Sequence, residues 1–104
     1  MVPPLESRIQ SEILGYLRGR SDVYVLNVPG GSTVPRGTPD LLVCYQGLFV
    51  GFEVKRPEGT YGLTEPQQIR FKQIRRAGGV AEVVTSIEDV KRIFRHLAEL
   101  IADH

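Results

Sequence analysis

The sequence predicts an α/β fold, a mixed sheet flanked by helices in the order α-β-β-β-α-β-α. Three observations carry the prediction. Apolar residues recur at helical spacing in three segments. Between them lie short runs rich in β-branched and aromatic residues. Gly, Pro and capping residues punctuate the joins. Alternation of this kind favours helices packed on a sheet.

The elements follow in order. Pro3 and Pro4 precede Leu5, Ile9, Ile13, Tyr16 and Leu17, whose spacing predicts an amphipathic helix over residues 5–19, ended by Gly19 and the polar Arg20–Asp22 stretch. Val23–Val28 reads as a strand. Pro29–Pro39 contains Gly30, Gly31 and Gly37 and reads as a loop, whose glycines suggest mobility or close backbone approach. Leu41–Tyr45 and Leu48–Lys55 are strands joined by a two-residue turn at Gln46-Gly47. A second loop spans Arg56–Leu63. Thr64-Glu65-Pro66-Gln67 has the form of a capping box with Pro in the first turn, starting a helix to Ala77 that Gly78-Gly79 stops. Val80–Val84 reads as a short buried strand. Ser86-Ile87-Glu88-Asp89 then caps a helix to about residue 102, with Ile87, Val90, Ile93, Phe94, Leu97 and Ile101 as its stripe.

Composition narrows the function. The 104 residues suit one domain, 1–104, without repeats, low-complexity tracts or linkers. One Cys excludes an internal disulfide framework and a Cys-rich zinc site, and Cys44 is expected to pack in its strand. His96 and His104 show no ligand spacing. No apolar run nears the ~20 residues of a membrane span. Met1–Ser7 lacks a signal pattern, so a reducing, cytoplasmic setting is expected. Thirteen Lys+Arg against twelve Asp+Glu give a net charge of +1, which excludes a polybasic nucleic-acid coat.

The chemistry concentrates at Pro39-Asp40 and Glu53-Val54-Lys55. Strand alternation puts Leu48, Val50, Phe52 and Val54 on one apolar face, and Phe49, Gly51, Glu53 and Lys55 on the other. Asp40 opens the neighbouring strand of the same hairpin, so two carboxylates and an ammonium can meet at a sheet end. Two carboxylates and a backbone carbonyl suit Mg²⁺, a hard cation that prefers oxygen ligands. Such a metal acidifies a bound water and offsets transition-state charge in phosphodiester hydrolysis. A Lys two residues beyond the Glu can orient that water and stabilise the oxyanion. Taken alone, Glu-x-Lys is a weak signal, and a surface Glu–Lys pair on a half-exposed strand, with Asp40 as a turn residue, is the favoured reading. Pro-Asp at the start of the neighbouring strand of the hairpin strengthens the site reading.

Two further residues bear on this site. Glu6 falls about 30° from the centre of the first helix's apolar stripe and Glu12 roughly 90° away. A carboxylate facing inward needs a partner, which a metal supplies; against this, the first turn of any helix favours acids. Glu12 is the reserve if the helix begins later or rotates. Gln67 shares a face with Phe71 and Ile74, whereas Gln68 points sideways. A Gln at the third helical position also closes a capping box, and Gln67 can do both.

Together, Glu6, Gly37-Thr38-Pro39-Asp40, Glu53-Val54-Lys55, Thr64-Glu65-Pro66-Gln67 and Gly78-Gly79 resemble the VRR-NUC domain, the virus-type replication-repair branch of the PD-(D/E)xK nucleases. The likeness extends from Glu6 to the 83–89 segment. It implies an αβββαβ core with the site at one sheet edge, here followed by an additional C-terminal helix. It implies Mg²⁺ or Mn²⁺ on Asp40, Glu53 and the Val54 carbonyl. Lys55 would be the catalytic lysine, with Glu6 and Gln67 supporting. Stand-alone members, typically phage or prophage encoded, resemble homodimeric Holliday-junction resolvases. The family usually places an aromatic or apolar residue three positions after the Gln. Here Arg70 stands there and Phe71 follows, so Gln68 stays as the alternative to Gln67.

Charge addresses the substrate. Arg36 and Arg56 flank the proposed site on loops and can grip phosphates on either side of a cleaved bond. Arg70, Lys72, Arg75 and Arg76 cluster on one helix, where a merely solvated face is the competing reading. No stacking platform, helix-turn-helix or zinc finger is visible, so backbone and shape readout are expected. A two-fold dimer would match a four-way junction with two sites. The competing accounts are a less selective nuclease or nickase of the same fold, and a non-catalytic DNA-binding module.

Overall fold

The computed structural model describes residues 5–57 and 62–103. Pro3-Pro4, residues 58–61 of the second loop and His104 lie outside the described residues. The elements are α1 (Leu5–Arg18), β1 (Val23–Asn27), β2 (Leu41–Tyr45), β3 (Leu48–Val54), α2 (Glu65–Arg76), β4 (Val80–Val84) and α3 (Ile87–Ala102). They form a four-stranded mixed sheet in the order β1-β2-β3-β4. The first three strands are antiparallel neighbours and β4 runs parallel to β3. Among the described residues no helix is long and apolar enough to cross a membrane.

The sheet has two unlike faces. The inner face carries Leu41, Val43, Tyr45, Val50, Phe52, Val54 and Val84, packed against Ile9, Ile13, Leu14 and Leu17 of α1 and Val90, Phe94 and Leu97 of α3. Phe94 anchors this layer, its ring stacked on Tyr45 at 4.5 Å between centroids and tilted on Phe52 at 6.0 Å. The outer face is covered over β3 and β4 by α2. There Ile74 lies against Gly51 and Gly79, so close that a Cβ at either glycine would be crowded. The missing side chains let the helix approach the sheet.

Local signals set the joins. Gln46 and Gly47 both have positive φ, 49° and 84°, as a two-residue turn matched to strand twist requires. Thr64 and Gln67 form the reciprocal capping box of α2, with Pro66 in its first turn. The helix ends at Ala77, after which Gly78 takes φ 93°. The N-cap of α3, Ser86, accepts from Asp89 N–H at 3.2 Å, and Asp89 Oδ2 accepts in turn from Thr85 N–H and Oγ1–H at 2.8 and 2.9 Å.

Three expectations change. The strand over Val80–Val84 is not fully buried: β4 is the edge of the sheet, and Val83 is exposed on the outer face. Cys44 does not pack but is exposed, because no helix covers the outer face of β1 and β2. Leu14 joins the core of α1, widening its stripe beyond the residues that the spacing picks out.

Candidate functional site

Continuing the antiparallel register one step past Leu41 and Phe52 sets Asp40 opposite Glu53 on the outer face. Val28 N–H donates to Asp40 O at 2.9 Å, extending the same row onto the chain after β1. The Asp40 carboxylate is aimed by the main chain, its Oδ2 accepting from Val54 N–H at 2.8 Å. Glu53 is the sole charged side chain in the buried set among the described residues. Its Oε2 accepts from Gln67 Nε2–H at 3.2 Å, while Oε1 is buried with no hydrogen-bond partner among the described residues.

Electrostatics follow from this placement. Burial is the largest force on the Glu53 carboxyl, and the neighbouring Asp40 carboxylate adds to it. Together they push the carboxyl up to about 8 from an ordinary 4.5. Lys55 pulls in the opposite direction, and Glu6 adds a smaller upward push. Glu53 therefore feels Asp40, Lys55 and Glu6 together. Glu12 is fully on the solvent side of α1 and exerts no such influence, so the helix presents Glu6 to the site.

Gln67 is fixed from both ends of its amide. Its Oε1 accepts from Thr64 N–H at 2.9 Å, and its Nε2–H reaches Glu53. Gln68 instead turns back along the chain and donates to Leu63 O at 2.9 Å. The capping residue and the site-facing residue are thus one side chain, delivered by the start of α2. Lys55 lies just beyond β3, half-buried, with its N–H donating to Val84 O at 3.0 Å.

The loop before Asp40 is clamped to the same helix start. Gly37 has φ 83°, and a Cβ there would overlap the Pro66 carbonyl group and come within 2.6 Å of Gln67 N. Pro39 is buried with its ring over Gly51. Arg70 Nε–H donates to Arg36 O at 2.9 Å, tying the loop to the next turn of α2. The glycines of this loop signal close backbone approach in the sequence, but the partner, Pro66-Gln67, emerges only from the fold.

The cations divide into two groups. Arg75 is engaged internally: Nη2 donates to Ala81 O at 2.6 Å, lies 3.8 Å from Glu82, and the guanidinium sits 5.3 Å over the Phe71 ring. Arg70 holds the loop and donates to Gln73 at 2.9 Å. Lys72 and Arg76 are exposed and make no ion pair among the described residues. Arg36 and Arg56 are exposed beside the site on its two loops.

The donor set can be weighed against a metal. Among the described residues no three His, Cys, Asp or Glu side chains converge as a ready-made ligand cluster. The set is instead two carboxylates across one strand pair, with Glu6 near. That sparse set suits Mg²⁺, which is held by one or two carboxylates, waters and substrate phosphates in place of an all-protein cage. The orphaned Glu53 Oε1 fits the same conclusion, because a buried acceptor without a donor is costly unless a cation meets it.

No family model and no curated protein matches the chain. Solved structures do. One described as a VRR_NUC domain superposes with a TM-score of 0.70 at 26% identity, over 88% of this chain and 96% of its own. Another, described as a VRR_NUC domain protein, gives a TM-score of 0.69 at 19% identity, over 92% of this chain and 89% of its own.

Proposed function

We propose that this chain, which shares its fold with solved VRR_NUC domains, is a divalent-cation-dependent endonuclease of branched DNA. We propose further that it works as a homodimer resolving four-way junctions. The single observation that carries the chemistry is the buried Glu53, with one oxygen unpartnered, set across the strand pair from Asp40.

In this reading Asp40, Glu53 and the Val54 carbonyl hold Mg²⁺ or Mn²⁺, with Glu6 behind them. Bound there, the cation supplies Lewis acidity toward a phosphate oxygen and acidifies a water. Every other role falls to the chain. Val54 N–H keeps Asp40 aimed. Gln67 holds one oxygen of Glu53 and leaves the other open. Lys55 orients the attacking water and offsets the charge that grows on the phosphate oxygens. Arg36 and Arg56 take flanking phosphates, and Lys72 and Arg76 extend the track along α2. Arg75, already spent on Ala81 and Glu82, contributes through the fold.

The test compares four-way junction, flap, splayed-arm and linear duplex DNA, each with Mg²⁺ and with EDTA. Paired symmetric nicks in the junction alone, lost in EDTA, are the expected result. Equal cutting of all four substrates would overturn the junction preference and leave a less selective nuclease. Asp40→Ala and Lys55→Ala should each lower the rate by at least about 100-fold while melting like wild type. Full activity in either variant would overturn the site assignment.

A further inference from the structure

The outer face of the sheet is covered over β3 and β4 by α2 but left bare over β1 and β2. Two rows of side chains cross that bare half. Register pairs Tyr24 with Cys44 and Cys44 with Phe49, and likewise Leu26 with Leu42 and Leu42 with Gly51. Tyr24 is 70% exposed, Leu26 47% and Phe49 46%, and Cys44 is exposed beside them. A sheet face normally buries its apolar side against another layer, and contiguous apolar patches of this kind mark interaction surfaces.

Charge and area decide the occupant. None of Tyr24, Leu26, Leu42, Cys44 and Phe49 carries a charge, so a phosphodiester backbone finds no cation among them; the exposed cations beside the site lie on α2 and the loops. Two such faces meet without repulsion, as an isologous two-fold contact requires. With aromatic side chains of about 150–250 Å² each, exposed in the fractions given, and Leu26, Leu42 and Cys44 beside them, the patch offers roughly 300–450 Å² per copy. Two copies with their polar rim then reach the ~1,000 Å² that a specific interface needs. The third row of the same face, one step along, is Val28, Asp40 and Glu53. The patch therefore ends where the site begins.

We infer that the bare outer face of β1–β2, centred on Tyr24, Cys44 and Phe49, is where a second copy of this chain docks, face to face about a two-fold axis. Its use in placing two sites on one junction rests on the function proposed above; the contact itself does not. The rival surface is the groove of about 600 Å³ between β4 and α3, lined by Val83, Ile93, Leu97 and Leu100. Its lining also carries the charged Glu82 and Arg92.

The full chain, without DNA or added metal, is measured by sedimentation equilibrium. Wild type should weigh twice its 11.6 kDa. Tyr24→Asp and Leu26→Asp should each raise the dimer dissociation constant at least tenfold while keeping the circular dichroism and melting of a folded chain. Leu100→Asp, in the rival groove, should stay dimeric. Maleimide labelling of Cys44, the only cysteine, should slow as wild-type concentration rises and should be independent of concentration in Tyr24→Asp. A monomeric wild type overturns the inference. So does a dimer that survives both outer-face substitutions, or one that only Leu100→Asp dissociates. Because no cleavage is read, failure here leaves the nuclease assignment standing. Inactivity of a well-formed dimer would count against that assignment alone.

Discussion

Glu53 makes the site readable by titration. Its folded carboxyl holds a proton up to about pH 8, whereas an ordinary one releases it near 4.5. Across that window the native state carries a proton that the unfolded chain has lost. Stability of the metal-free protein must therefore fall as pH rises through the window and level off above it. Thermal melts in EDTA from about pH 5 to 9 should show this fall, and Glu53→Gln should flatten it. A cation bound to the charged form displaces the proton, so stabilisation by Mg²⁺ should grow with pH up to about 8. Melting temperatures of the metal-free protein that climb over this range would refute the account. The shared face of Asp40 and Glu53 is legible in the sequence because strand alternation alone assigns it. The orphaned oxygen is not, since it depends on how α2 closes over that face.

At the scale of elements, the site is a joint between a loop and a helix start. Gly37 presses its bare Cα against Pro66 and Gln67, and Gln67 presses its amide on Glu53. Gly37→Ala adds both a collision with backbone and the strain of positive φ. It should cost about 2 kcal/mol or more in chemical denaturation and should lower cleavage more than melting alone explains. A Gly37→Ala variant as stable and active as wild type would show the joint to be slack. Element boundaries are legible in the capping box at Thr64, the Gln46-Gly47 turn and the Gly78 stop, each of which has a local cause. The edge position of β4 and the exposure of Cys44 are not, because they depend on which strand α2 covers, a matter of topology and not of spacing.

For the whole molecule, the net charge of +1 conceals a division of labour. Removing Asp40, Glu53 and Glu6 from the acid count, as a bound cation would largely do, leaves 13 basic residues against 9 acidic, a balance of +4. Binding to a four-way junction should therefore depend on the metal. With Lys55→Ala, to keep the DNA whole, gel-shift affinity should rise at least about tenfold between EDTA and Mg²⁺ at matched ionic strength. Equal affinity would mean that the acids never oppose the DNA. The sheet's period of two gives these properties a shared vulnerability. Acid pair and apolar patch stand on successive rows of one face, so they are bound to a single phase of the strands. A one-residue slip of β3 would turn Glu53 inward and Phe49 with it, bringing Phe52 out, and both properties would vanish in the same step. A two-residue slip would keep every side chain on its face yet carry Glu53 away from Asp40, leaving a surface without a site. An odd insertion in this hairpin thus costs both properties together, whereas an even one spares the surface and costs the site alone.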